Sequence, residues 1–270
     1  MFDFTGKVAV VTGGSGVLCG ALCRALASHG ASVVVVANSQ LGKAQGVVDA
    51  IEAEHGIARA AQADVLSKAS LLQLADDVLE AYGRVDFLIN GAGGTRKEAT
   101  TSDTTSFFDL PEEAVRTVCD LNFMGTFLPC QVFARIMNEQ GGGAILNLSS
   151  MGAIQPLTRS VAYSAGKAAV ANFTQWLAVH LAQEYTSPIR VNALVPGFFL
   201  TEQNKFLLTD EATGALTERG QRIVAQTPMG RFGDCDDLVG PALFLLDESA
   251  RFVHGAALVV DGGLNAYGGV

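Results

Sequence analysis

Seven short, β-branched runs alternate with helix-patterned stretches from one end of the chain to the other, and this alternation constrains the fold more than any other feature. Residues 7–12, 32–37, 58–63, 85–90, 144–147, 190–194 and 257–260 read as strands, most of them closed by glycine or another turn former. Between them, residues 18–28, 42–55, 68–82, 122–138, 162–185 and 235–246 carry helical spacing. In the first of these, Leu18, Leu22 and Leu26 share one face, and Gly30 stops the helix. Runs that are apolar on both faces and alternate with helices predict a parallel sheet covered on both sides, with right-handed crossovers. The expected class is α/β, a doubly wound parallel seven-stranded sheet flanked by helices. At 270 residues, one domain over 1–270 is expected.

In such a sheet, ligands bind beyond the carboxyl ends of the strands at the point where strand order reverses, and the informative motifs follow strands. Thr12-Gly13-Gly14-Ser15-Gly16 closes the first strand and opens a helix at Val17 and Leu18. Glycines there let backbone approach a pyrophosphate, and the helix N-terminus offers free N–H groups and partial positive charge. Asp64-Val65 follows the third strand, Asn90-Gly91-Ala92-Gly93-Gly94 the fourth and Pro196-Gly197 the sixth. A helix cap at Asp64 and an ordinary turn at 90–94 are the plainer alternatives.

Tyr163 and Lys167 are four apart at the start of a helical pattern, which puts them on one face. A phenol has an ordinary pKa of about 10. A neighbouring ammonium stabilises the phenolate, making the pair a proton donor and acceptor for a carbonyl/alcohol couple. Ser150, directly after the fifth strand, would hydrogen-bond the reacting oxygen. Asn122 opens the preceding helix, where an N-cap is its plainer role.

Composition narrows the rest. Hydrophobic residues form 49% of the chain and charged ones 17%, which argues against disorder. The net charge of −9 argues against a nucleic-acid partner, and it requires a local cation for any anionic substrate. Cys19, Cys23, Cys119, Cys130 and Cys235 are scattered, without a CxxC pair or a histidine cluster. Neither a disulfide framework nor a metal site is expected, and a reducing cytoplasm fits. No signal peptide is expected, and apolar runs such as 8–11 and 33–37 are too short to span a bilayer. Two polar stretches, 95–113 and 198–231, are long for connections, and the second is the expected substrate lid.

Taken in order, the Thr12–Gly16 turn, Asp64, the Asn90–Gly93 run, Asn122, Ser150, Tyr163-Ser164-Ala165-Gly166-Lys167, Pro196-Gly197 and Asp261-Gly262-Gly263 resemble the short-chain dehydrogenase/reductase family over essentially the whole chain. The resemblance implies a Rossmann-type fold, NAD or NADP as cofactor, and hydride transfer between nicotinamide and a carbonyl/alcohol pair. It implies Tyr163 as general acid/base, with Lys167 holding the nicotinamide ribose and lowering the Tyr163 pKa. Ser150 would orient the carbonyl, and Asn122 would anchor a water in the proton relay. Cofactor contacts would come from Gly13, Ser15, Gly16, Val17, Leu18, Asn38, Ser39, Asp64, Val65, Asn90, Gly91, Ala92, Gly93, Tyr163, Lys167, Pro196, Gly197 and Thr201. Family members are commonly tetramers joined through late helices and the last strand, so a homo-oligomer is expected.

Two departures stand out. The family's turn reads TGxxxGxG, whereas Val17 and Cys19 hold the second and third glycine places here, which predicts a reshaped pyrophosphate turn. After the second strand, Ala37-Asn38-Ser39 supplies neither the acid of NAD users nor the base of NADP users, with Lys43 one turn on. Cofactor preference stays open.

The stretches 121–129, 172–180, 196–204 and 227–233 are similar to the bacterial branch called D-mannonate oxidoreductase, or fructuronate reductase. That implies D-fructuronate/D-mannonate as the small, polar substrate pair. Arg159, Arg96, Gln203 and Asn204 are the candidate substrate contacts, each with a plain surface role as the alternative. Other readings are a reductase of another sugar, polyol, keto acid or 3-oxoacyl substrate, a non-catalytic NAD(P)-binding regulator, and a purely structural subunit.

Overall fold

The valine-rich first strand, β1 (Val8–Thr12), is buried along its whole length and lies at the centre of the sheet. The computed structural model describes residues 2–201, 204–210 and 213–269. Around β1 stand β2 (Ser32–Ala37), β3 (Ile57–Gln62), β4 (Phe87–Asn90), β5 (Gly143–Leu148), β6 (Ile189–Pro196) and β7 (Ala257–Val260), all parallel, in the order β3-β2-β1-β4-β5-β6-β7. This is the expected doubly wound seven-stranded α/β fold in one domain. Strand order reverses between β1 and β4, so a crevice opens beyond Thr12 and Asn90, which are paired at the carboxyl end of the β1–β4 ladder.

Alternation of side chains builds two cores. Ala9, Val11, Val33, Val35, Ile89, Leu146 and Leu194 face one side, where α1 (Val17–Ser28), α2 (Leu41–Ala53) and α8 (Val239–Leu246) cover them. Val10, Val34, Leu88, Ile145 and Val191 face the other, under α3 (Lys68–Tyr82), α4 (Glu112–Gln140) and α5 (Val161–Glu184). The edge strand β3 departs from this double burial, with Ile57 58% exposed.

At the amino ends of the strands, buried Asp86 accepts two hydrogen bonds from Arg84 (2.7 and 2.6 Å), one from Lys7 (3.3 Å) and one from the Val8 amide (2.9 Å). These partners hold its carboxyl below the ordinary range, although burial pushes the other way. Asp86→Ala, which orphans the Val8 amide, is expected to cost about 1–3 kcal/mol in denaturant unfolding. In the parent chain this contribution is present above the ordinary carboxylate pKa and is lost as pH falls through the lowered folded value.

Three expectations need correction. The helix expected from Asn122 starts ten residues earlier, at Glu112, behind Pro111, with Glu112 and Glu113 in its first turn. Asn122 is therefore interior, not a cap. The helix expected over 235–246 is divided into a 3-10 turn, Cys235–Leu238, and α8. The long stretch 198–231 is not plain loop: it contains α6 (Lys205–Leu208) and α7 (Glu218–Gln226), with bridges Phe199–Gly233 and Thr209–Leu216.

Candidate active site

The crevice at the reversal point is a cleft of about 440 Å³ that runs from the glycine turn after β1 to α6 and α7. Ser15, Gly16, Val17, Leu18, Gly91, Gly93, Ser150, Tyr163, Lys167, Pro196, Gly197, Thr201 and Asn204 all line it.

Backbone approach is close at its floor. Gly13 has φ +66°, and a Cβ there would lie 2.8 Å from the backbone of Gly91 and Ala92. Thr12 Oγ1 accepts from the amides of Gly91 (3.2 Å) and Ala92 (3.3 Å), tying the ends of β1 and β4 together. The reshaped turn has a specific counterpart: a Cβ on Gly91 would lie 2.0 Å from Cys19 Sγ. Cys19 fills space that this neighbouring glycine leaves open. Burial pushes its thiol up to about 12, so it acts as a small apolar filler.

One turn of α5 separates Tyr163 from Lys167, whose ammonium lies 5.8 Å from the phenol ring centre. Lys167 is 4% exposed and donates to Leu148 O at 2.7 Å, the end of β5. Ser150 follows β5 and accepts from the Gly152 amide at 3.1 Å, which fixes its hydroxyl at the start of a 3-10 turn. Next to it, Ser149 Oγ donates to Lys167 O at 3.1 Å, and Ser164 Oγ accepts from the Leu157 amide at 3.0 Å, fastening this loop to α5. Asn122 is fully buried beneath the cleft. Its amide donates to Gly94 O and Val118 O (both 2.8 Å), while its carbonyl accepts from Gly94 N (3.1 Å). A Cβ on Gly93 would lie 2.7 Å from Asn122 Oδ1 and 3.1 Å from Lys167 Nζ. Glycine there lets the strip after β4 touch both side chains.

The electrostatics differ from the expected pairing. Burial raises the Tyr163 phenol, and only its hydrogen bond with Ser150 opposes this. Burial also lowers Lys167, to about 8. Burial thus dominates both groups, and it favours the protonated, donating form of the phenol.

Other expected residues stand elsewhere. Asn90 is buried under the strip, with its amide on Asn147 Oδ1 (2.9 Å) and Cys130 Sγ (3.1 Å), so its side chain braces β4 against β5. Asp64 caps its own turn through Leu66 N (2.9 Å), Ser67 caps α3, and Val65 is buried against Gly125. Asn38 and Ser39 are exposed at the end of β2, outside the cleft lining, whereas Gln40 and Lys43 reach it. Arg96 is exposed outside the cleft, and Arg159 pairs with Asp103 at 2.9 Å, also outside the lining. Asn204 uses its amide on the backbone, donating to Phe199 O (2.7 Å) and accepting from Thr201 N (2.8 Å), which closes the turn before α6. Gln203 lies outside the described residues. Sequence reasoning missed Arg219, whose place in the lining depends on α7 folding back over the cleft. No local signal distinguishes it from its neighbours Glu218 and Arg222, which pair with each other.

A second cleft, about 480 Å³, lies between the outer faces of α4 and α5 and is lined by Phe127, Phe173, Trp176 and His180 among others. Trp176 is 54% exposed and stacks on His180, so it is not a core residue. This cleft lacks the Ser–Tyr–Lys grouping.

The family model described as "Enoyl-(Acyl carrier protein) reductase" matches residues 17–265. A Bacillus subtilis protein named "Uncharacterized oxidoreductase UxuB" is 48% identical, with 99% of this chain and 98% of that one covered. An Azotobacter vinelandii L-rhamnose 1-dehydrogenase (NAD(P)(+)) is 36% identical over 96% of both chains. A crystal structure from Haemophilus influenza, provisionally named a D-mannonate oxidoreductase and containing bound NAD, superposes with a TM-score of 0.92 at 40% identity, covering 100% of this chain and 98% of its own. No helix among the described residues is long and apolar enough to cross a membrane. With the strand order, the glycine turn and the Ser150–Tyr163–Lys167 grouping, these matches establish that the chain belongs to the short-chain dehydrogenase/reductase family, the nicotinamide-dependent oxidoreductases of alcohol and carbonyl groups.

Proposed function

We propose that the chain reduces a polar hydroxy ketone of sugar type with NADH or NADPH, and that the pair is D-fructuronate and D-mannonate. The observation that carries the reading is the convergence of Ser150, Tyr163 and Lys167 on one cleft whose other end is a glycine cradle at a helix N-terminus. The cradle suits a dinucleotide, because Ser15, Gly16 and Val17 line the cleft at the start of α1, where a glycine N-cap has no side chain to cover the helix amides. The named sugar dehydrogenase and the D-mannonate structure among its relatives support the substrate class.

A bound nicotinamide supplies the hydride to the carbonyl carbon. Ser150 and Tyr163 hold the carbonyl oxygen, and the protonated phenol gives that oxygen its proton as the alcohol forms. Lys167 and Asn122, both touching the Gly93–Gly94 strip or its surface, keep a positive charge and a fixed amide beneath the reacting centre. The segment 198–231 serves as the lid, with α6 and α7 as its folded parts. We also place the chain in a homo-oligomer, with exposed Trp176 and Val179 on α5 in the interface, and in the cytoplasm, which suits its free cysteines.

Purified protein given D-fructuronate is expected to oxidise NADH or NADPH stoichiometrically with D-mannonate formed, followed by loss of the reduced-nicotinamide absorbance. Nothing at Asn38 or Ser39 repels a 2′-phosphate, so turnover with both cofactors is expected. Binding of a nicotinamide cofactor without turnover of D-fructuronate would end the substrate assignment while leaving the family intact.

A further inference from the structure

The cleft contains an arginine that has no ion-pair partner among the described residues. Arg219 stands in the first turn of α7 and lines the same cleft as Ser150 and Tyr163. Its Nη1 donates to Thr158 Oγ1 at 3.3 Å. Its Nε is buried and has no hydrogen-bond partner among the described residues. Among those residues it forms no ion pair: Glu218 is taken by Arg222, and Asp103 by Arg159. Burial lowers its pKa, and a like charge, Arg159, adds to the lowering.

A guanidinium in this position is costly. A buried donor without an acceptor loses its hydration, and two neighbouring cations repel. The chain carries net charge −9, yet here an arginine with no ion pair among the described residues lines the cleft. A planar fork of N–H donors matches a carboxylate, and an anion arriving from the cleft at the outer guanidinium nitrogens would offset the repulsion. Leu157, Leu207 and Leu208 line the cleft as well and give it apolar walls, which strengthen such a contact.

We propose that Arg219 binds the carboxylate of the substrate and selects a keto acid of sugar type over its neutral counterpart, with Arg159 adding field from behind its ion pair. The proposal rests on the reading that substrate occupies this cleft with its carbonyl at Ser150 and Tyr163. D-Fructuronate, with carbonyl and carboxylate towards opposite ends of the sugar chain, has the required form.

The test compares wild type, Arg219→Gln and Arg219→Lys on D-fructuronate and on D-fructose, which has a hydroxymethyl group in place of the carboxylate. NADH binding, followed by fluorescence titration, confirms that each variant is folded. Arg219→Gln is expected to lower kcat/KM for D-fructuronate by about 10²-fold, mostly through KM, and to change it for D-fructose by less than about threefold. Arg219→Lys should recover part of the loss. Equal losses on both substrates, or no loss on D-fructuronate, would overturn the proposal. If wild type does not reduce D-fructuronate, the uronate reading falls, and the same variants are run on keto acids paired with their amides. A carboxylate preference that disappears in Arg219→Gln then sustains the role of Arg219, and a wild type indifferent to the carboxylate ends it.

Discussion

Replacing Tyr163 with phenylalanine is expected to lower kcat by about 10²- to 10⁴-fold, the usual contribution of a positioned general acid. Affinity for the reduced cofactor should stay within about threefold, since only one hydroxyl at the reacting end is lost. The substitution keeps the ring and its contact with Lys167, so a folding defect is not expected. The direction of the phenol's pKa sets which reaction suffers at which pH. Burial raises it above the ordinary tyrosine value. Across neutral pH the hydroxyl stays protonated, which favours donation during carbonyl reduction. Alcohol oxidation needs the conjugate base, so its rate should climb with pH while the rate of reduction does not. Steady-state rates in both directions, measured from neutral to alkaline pH on parent and variant, test this.

The second large effect is expected at Lys167. Removing its ammonium in Lys167→Met takes away the positive charge beneath the reacting centre and orphans Leu148 O, and should reduce kcat/KM for reduction by about 10²-fold. Burial lowers this ammonium to about 8 in the free protein. The sign follows directly: the group is charged below about 8 and neutral above it, so reductive kcat/KM should fall as pH rises through that value. The parent's activity should descend towards that of Lys167→Met, while the variant shows no such limb. Identical alkaline limbs in the two proteins would assign the titration to another group.

Several of these elements were legible before any coordinates. Strand and helix periods specify the sheet because β-branched runs such as Val33–Val36 bury both faces and leave little choice of layer. The grouping of Tyr163 with Lys167 was readable because they share one helix, where spacing alone sets proximity. What stayed hidden depends on contacts between distant segments. Cys19 in a glycine place looked like a distortion until Gly91 proved to be the small partner. The side chain of Asn90 turns down to Asn147, fifty-seven positions away, a contact that no local pattern encodes. Arg159 looked like the substrate cation because it lies between Ser150 and Tyr163 in sequence, yet Asp103 draws it outwards. Arg219 carried no signal at all: its role follows from the fold-back of α7, which no local pattern encodes.

The most direct measurement uses NADH dideuterated at the nicotinamide C4, with D-fructuronate and a single turnover of purified protein. Mass spectrometry of the product should find one deuterium on the carbinol carbon of D-mannonate, formed at a rate that collapses in Tyr163→Phe. Unlabelled product, no product, or label transferred equally fast without the Tyr163 hydroxyl would contradict the account.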